Sequence, residues 1–109
     1  MKKSNSDVRD LNEAEFHEII KDDKLTIVDF WAPWCGPCRA MMTIMDEIKQ
    51  KNPDCNVVKL NIENEKKIAS VLGIRAIPTL IAFKNGNEIG RHIGSSSKFK
   101  IQDFVESFK

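Results

Sequence analysis

Residues 25–32 read LTIVDFWA, with apolar side chains at both odd and even positions. A strand points successive side chains to opposite faces, so this one is apolar on both. Such a strand has to be covered on each side, which marks the centre of an α/β sheet rather than its edge. Directly after it comes WCGPC, residues 34–38, with two cysteines three apart where the chain leaves the strand.

The neighbouring segments supply the covering helices. DLNEAEFHEIIKD, residues 10–22, predicts a helix with Asn12 as N-cap and Glu15 three positions on, the spacing of a capping box. Leu11 and Phe16 fall where a hydrophobic staple puts them, and Phe16, Ile19 and Ile20 form the buried stripe. A long helix from about Cys35 carries Met41, Met42, Ile44, Met45 and Ile48 on its apolar side and ends at Lys51, Asn52 and Pro53. CNVVKLNI reads as the next strand, and NEKKIASVL as a short helix stopped by Gly73. PTLIAFKNGNEIGRHI reads as a β-hairpin turning at Asn85-Gly86. Ile101, Phe104, Val105 and Phe108 keep the i, i+3, i+4, i+7 spacing of a last helix. The pattern is β-α-β, then α, then β-β-α around one sheet. With 109 residues and no repeat, linker or low-complexity tract, one domain spanning 1–109 is expected, with residues 1–6 a polar, poorly ordered start.

Charge narrows the function classes. A formal net charge of +1 points to no nucleic-acid or membrane surface. MKKSNSDVRD has two lysines but no apolar run behind them, so it does not read as a secretory signal, and no other run could span a bilayer. The cytoplasm is the expected location, and structural disulfides rarely persist there. Three cysteines are also an odd count for a disulfide framework.

Three readings of Cys35 and Cys38 compete. A structural zinc site needs four ligands, and beyond the pair the chain offers Cys55, His17 and His92, none with second-pair spacing; no metal is expected. A structural bridge would close a very short loop and remove little chain entropy. A C-x-x-C pair at a strand-to-helix junction fits thiol–disulfide exchange better. Cys35 would meet the free N–H groups of the helix start, which favour an anion by roughly 0.3–2 kcal/mol. A thiol pKa lowered by about 1.5 units from about 8.5 raises the thiolate fraction at pH 7 roughly 16-fold. Its intrinsic nucleophilicity falls about 5-fold, so the net gain is only about 3-fold. Positioning of the target disulfide must therefore contribute much of the rest.

Asp29 is a carboxylate inside the apolar strand. Either it reaches water from the strand end, or burial raises its proton affinity and makes it a proton donor or acceptor for Cys38. Trp31 reads equally as core or as a wall of the site. Cys55 reads as a half-buried bystander thiol.

WCGPC preceded by VDFWA, and followed by IPT and the FKNG hairpin, resembles the thioredoxin family over nearly the whole chain. The resemblance implies that family's α/β fold: a central mixed β-sheet of four to five strands flanked by four helices on both faces. It implies a protein-disulfide reductase with a Cys35–Cys38 disulfide, Cys35 as nucleophile and Cys38 as the thiol that resolves the mixed disulfide. Trp34, Gly36 and Pro37 complete the active-site loop, with Trp34 at its rim. Asp29 matches the family's buried aspartate, and Lys59 resembles the lysine near it, with a solvated strand lysine as the alternative. Ile77–Pro78 would be a cis bond packed against the cysteines. Ile62, Ala76, Ile77, Pro78, Ile93 and Gly94, with Trp34, would surround the surface where substrate docks. No bound cofactor is implied; electrons would come from NADPH through a flavoprotein, thioredoxin reductase. The expected partners are that reductase and disulfide-containing target proteins, and the expected state is a monomer.

Thr43 stands where many family members have a proline that kinks the long helix. Two other functions share these features. An oxidase or isomerase on the same fold commonly has Gly-His between the cysteines, whereas Gly36-Pro37 resembles the reducing branch. A binding module would leave the thiols incidental.

Overall fold

The computed structural model describes residues 7–109; the expected polar start at 1–6 lies outside them. The chain enters through a two-residue strand, β1 (Arg9–Asp10), and turns at Leu11 into helix α1 (Glu13–Ile19). The capping box is complete: Glu15 N–H donates to Asn12 Oδ1 and Asn12 N–H donates to Glu15 Oε1, each at 2.8 Å. Leu11 and Phe16 are both buried in the same apolar cluster, as a staple requires.

Strand β2 (Thr26–Trp31) is the buried centre foreseen from LTIVDFWA, and Ile27, Val28 and Phe30 have no exposed surface. Helix α2 (Gly36–Lys51) runs on through the exposed Thr43 and ends at Asn52. Strand β3 (Asn56–Asn61) follows, then helix α3 (Lys66–Val71). Gly73, at φ +68°, ends α3: its N–H donates to Ser70 and that of Ile74 to Ala69, which satisfies two of the helix's last carbonyls. Strands β4 (Thr79–Lys84) and β5 (Asn87–Ile93) form the hairpin, with both turn residues in the left-handed region (Asn85 φ 54°, Gly86 φ 84°). Helix α4 (Lys98–Glu106) closes the chain.

The sheet order is β1-β3-β2-β4-β5, parallel across β1, β3 and β2 and antiparallel from β2 to β4 to β5. Period two sorts its side chains into two cores. Ile27, Val57, Leu80 and Ala82 face α2 and α4, meeting Met41, Met45, Ile48, Ile101 and Val105. Val28, Phe30, Val58, Leu60, Ile81 and Phe83 face α1 and α3. There the Phe16 ring stands edge-on to Phe30 and Phe83, with centroids 6.4 and 5.5 Å away. The expected mixed sheet with helices on both faces is what forms, at the upper strand count. The added strand is β1, whose two exposed residues have no apolar pattern to announce them.

Candidate functional site

The β2–α2 junction carries the cysteines. Cys35 is the N-cap of α2, in extended backbone, and its Sγ accepts the Cys38 N–H at 3.2 Å. A sulfur at this position faces the unpaired N–H groups of the first helical turn, which favour its anionic form. Gly36 and Pro37 occupy the first two helical positions, where proline's missing N–H has no bond to lose. Cys38 stands one turn along, and the two sulfurs are joined in a disulfide with the Cα atoms 5.3 Å apart. Cys35 is 5% exposed and Cys38 1%, so the pair differs in the foreseen direction by a narrow margin in this oxidised state.

The wall opposite is the turn before β4. The Ile77–Pro78 bond is cis, and the Ile77 carbonyl oxygen lies 3.8 Å from Cys35 Sγ. Thr79 Oγ1 donates to the Ala76 carbonyl at 2.6 Å, and Gly94 N–H to the Pro78 carbonyl at 2.8 Å, which pin both ends of this turn. Ile62, Trp31 and Ile77 pack around Cys35, Cys38 and Ala32. Trp34 is 64% exposed at the rim, and Ile93, paired with Thr79, is 63% exposed. Ala76 is exposed beside Ile77, and Gly94 has φ +93°, a conformation suited to glycine.

On β2, the strand that leads into the cysteine loop, lies Asp29, 1% exposed. It shares the α2 face of the sheet with Ile27, between Lys59 of β3 and Leu80 of β4. Burial pushes its carboxyl up to about 7, the attraction of Lys59 offsetting only part of that and the charge of Asp10 adding to it. Asp29 Oδ1 has no hydrogen-bond partner among the described residues. Lys59 is itself buried, not the solvated alternative, and its Nζ sits 5.1 Å from the centre of the Trp31 ring. The Trp31 indole N–H donates to Asp10 Oδ1 at 2.8 Å. Trp31 is therefore both a core contact and a wall of the site.

Two polar neighbours escaped the sequence reading. Asp10 anchors Trp31, and Glu63 Oε2 accepts the indole N–H of Trp34. No local motif marks either. The only route to them is the strand order: β1 and β2 both pair with β3, and Trp31 lies opposite Asn61, two residues before Glu63. Cys55 stands apart from the site, in the α2/α4 core at the start of β3, with burial pushing its thiol up. Among the described residues no group of three or more His, Cys, Asp or Glu side chains could hold a metal ion. No helix among them is long and apolar enough to cross a membrane.

Residues 7–107 match the family model described as thioredoxin. The chain is 41% identical over 100 residues to a thioredoxin of Synechocystis sp., a match covering 90% of this chain and 94% of that one. It is 41% identical over 93 residues to a thioredoxin of Alicyclobacillus acidocaldarius, over 84% of this chain and 89% of that one. Among solved structures, mitochondrial thioredoxin 3 of Saccharomyces cerevisiae in its oxidised form aligns with a TM-score of 0.84 at 31% identity, over 92% of this chain and 94% of that one.

Proposed function

The chain belongs to the thioredoxin family, and on that premise we propose how its residues divide the work of disulfide exchange. It is a protein-disulfide reductase acting through the Cys35–Cys38 pair. In the reduced protein the Cys35 thiolate attacks one sulfur of a target disulfide. A Cys35–target bond forms, the target's own S–S bond breaks, and the departing sulfur takes up a proton. Cys38 then loses its proton and attacks Cys35 Sγ, which restores the Cys35–Cys38 disulfide and releases the second target thiol. Two electrons and two protons have passed to the target. The tether of one helical turn keeps Cys38 at high effective concentration, so the second step outpaces loss of the mixed disulfide.

Asp29 is the group proposed to take the Cys38 proton. A carboxyl held near 7 is half ionised at neutral pH and so serves as base in one direction and acid in the other. Lys59 tempers its charge. The backbone around Ile77 and Pro78 offers hydrogen bonds to an extended target segment, with Trp34, Ile62, Ala76, Ile93 and Gly94 as the apolar and small surface around it. Gly36 and Pro37 shape the loop that presents Cys35.

The exchange runs on the cysteines themselves, and the targets are disulfide-containing proteins. The oxidised pair has to be reduced again, and an NADPH-dependent flavoprotein, thioredoxin reductase, is the proposed source of electrons. A single-domain monomer working in the cytoplasm completes the proposal.

The observation that carries this reading is the placement of Cys35 Sγ at the N-cap of α2 and 3.8 Å from the Ile77 carbonyl oxygen. The test is reduction of insulin disulfides, followed by turbidity with dithiothreitol as electron donor. The protein should accelerate precipitation, and a variant with both Cys35 and Cys38 changed to Ser should not. Equal acceleration by that variant would rule out exchange through this pair.

A further inference from the structure

Three charged residues lie side by side across the sheet. Asp10 of β1 and Asp29 of β2 are both register partners of Lys59 on β3, so the lysine has a carboxylate on each side. All three point to the α2 face, below Trp31. Among the described residues Lys59 forms no close ion pair with either; its ammonium lies over the Trp31 ring instead. That ring is held by Asp10 through the indole N–H. We propose that Asp10 is a positioning residue of the exchange site: by anchoring Trp31, and by its own charge, it keeps Lys59 from neutralising Asp29 and so sets the pH at which Asp29 exchanges its proton. This rests on the reading of Asp29 as the proton acceptor of Cys38.

The surroundings of Asp29 leave few other groups to do this. From β4 it meets Leu80, whose partner on β5 is His92, a titratable side chain two strand spacings from Asp29 that packs against Phe104 of α4; the buried apolar α2 and α4 side chains in that core are Met41, Met45, Ile48, Ile101 and Val105. Cys38, buried in the first turn of α2, titrates only once reduced. Arg9, next to Asp10, points to the other face and is paired with Glu15 at 2.8 Å. Among the described residues the charges that act on the carboxyl are those of Lys59 and Asp10, and they act in opposite directions.

Two strand spacings put Asp10 roughly 10 Å from Asp29. A unit charge at that distance moves a carboxyl by about 0.3 to 1 pH unit, less in high salt. Asp10→Asn keeps an acceptor for the indole and removes the charge; Asp10→Glu keeps the charge.

The test has two readouts on the full chain. The first is the titration of the Asp29 carboxyl carbon by NMR in the oxidised protein, at low and high salt. The second is the pH profile of insulin reduction. In Asp10→Asn the Asp29 midpoint should fall by about 0.3 to 1 unit at low salt, with the profile moving the same way. Asp10→Glu should titrate like the parent. An unchanged midpoint in Asp10→Asn overturns the proposal while leaving the role of Asp29 standing. A profile that is the same in Asp29→Asn as in the parent overturns the role of Asp29, and that of Asp10 with it. Tryptophan emission in each variant checks that the indoles keep their environment, which a folding defect would change.

Discussion

Cys35 Sγ accepts the backbone N–H of Cys38 at 3.2 Å, so the sulfur of one member of the redox pair caps the helix that carries the other. The two thiols are chemically unequal for that reason. Both are buried, but Cys35 caps the positive end of α2 whereas Cys38 sits within its first turn. Cys38→Ser should leave the first attack intact and strand the mixed disulfide, giving abundant covalent adducts from a cell lysate on a non-reducing gel. Cys35→Ser should give none. The opposite pattern would reverse the two roles.

Asp29 links the site to stability. A folded-state value of about 7 against the ordinary 3.8 means that the folded protein holds a proton the unfolded chain has released between those values. Stability therefore falls as pH rises from about 4 to about 7, and the full penalty of about 4 kcal/mol is reached above that window. Asp29→Asn removes the penalty. Urea unfolding should show the variant gaining on the parent by up to about 4 kcal/mol at pH 8, with the gap closing towards pH 4. A difference that does not vary with pH would show that Asp29 is not the protonated group.

Both tryptophans of the chain border the disulfide, and there is no tyrosine. Trp31 packs against Cys35 and Cys38, and Trp34 precedes Cys35 in the chain. Intrinsic emission thus reports on the site alone and should change on reduction with dithiothreitol. Superimposable spectra for the two states would show that neither indole senses the pair.

Asn52 is a fully buried amide at the end of α2. Its Nδ2 donates to the Ile48 carbonyl and to Gln102 Oε1, and its Oδ1 accepts from Gln102 and Lys109. Asn52→Ala takes the side-chain donor from the Ile48 carbonyl and Gln102 Oε1, while Gln102 keeps Glu106 and Lys109 keeps Asp54 and Glu106, and should destabilise the protein by about 1–3 kcal/mol in urea unfolding. Because the amide lies in the last turn of α2 and the cysteines in its first, the pH profile of insulin reduction should not move. A stability within experimental error of the parent would mean that the paired amides contribute nothing net.

Local chemistry was legible because it closes over a few residues. The Asn12–Glu15 box, the Gly73 stop, the Asn85-Gly86 turn and the cysteine pair at a helix start each depend on neighbours three or four positions apart. The two-sided apolar pattern of β2 likewise requires cover on both faces, wherever the covering helices come from. The family's motifs, WCGPC and IPT, brought Cys35 and Ile77 together before any geometry did. Other features depend on which strands are neighbours, and strand order is decided by how the two cores pack rather than by any one segment. β1 is a strand only because β3 offers it a partner. Asp10 reaches Trp31 across 21 residues, Glu63 reaches Trp34 across 29, and Asn52 reaches Gln102 across 50. A polar side chain in an exposed stretch carries no mark of the distant donor it will meet. The residues that hold the site's tryptophans in place were therefore settled by tertiary structure alone, while the sulfur chemistry was written in five consecutive residues.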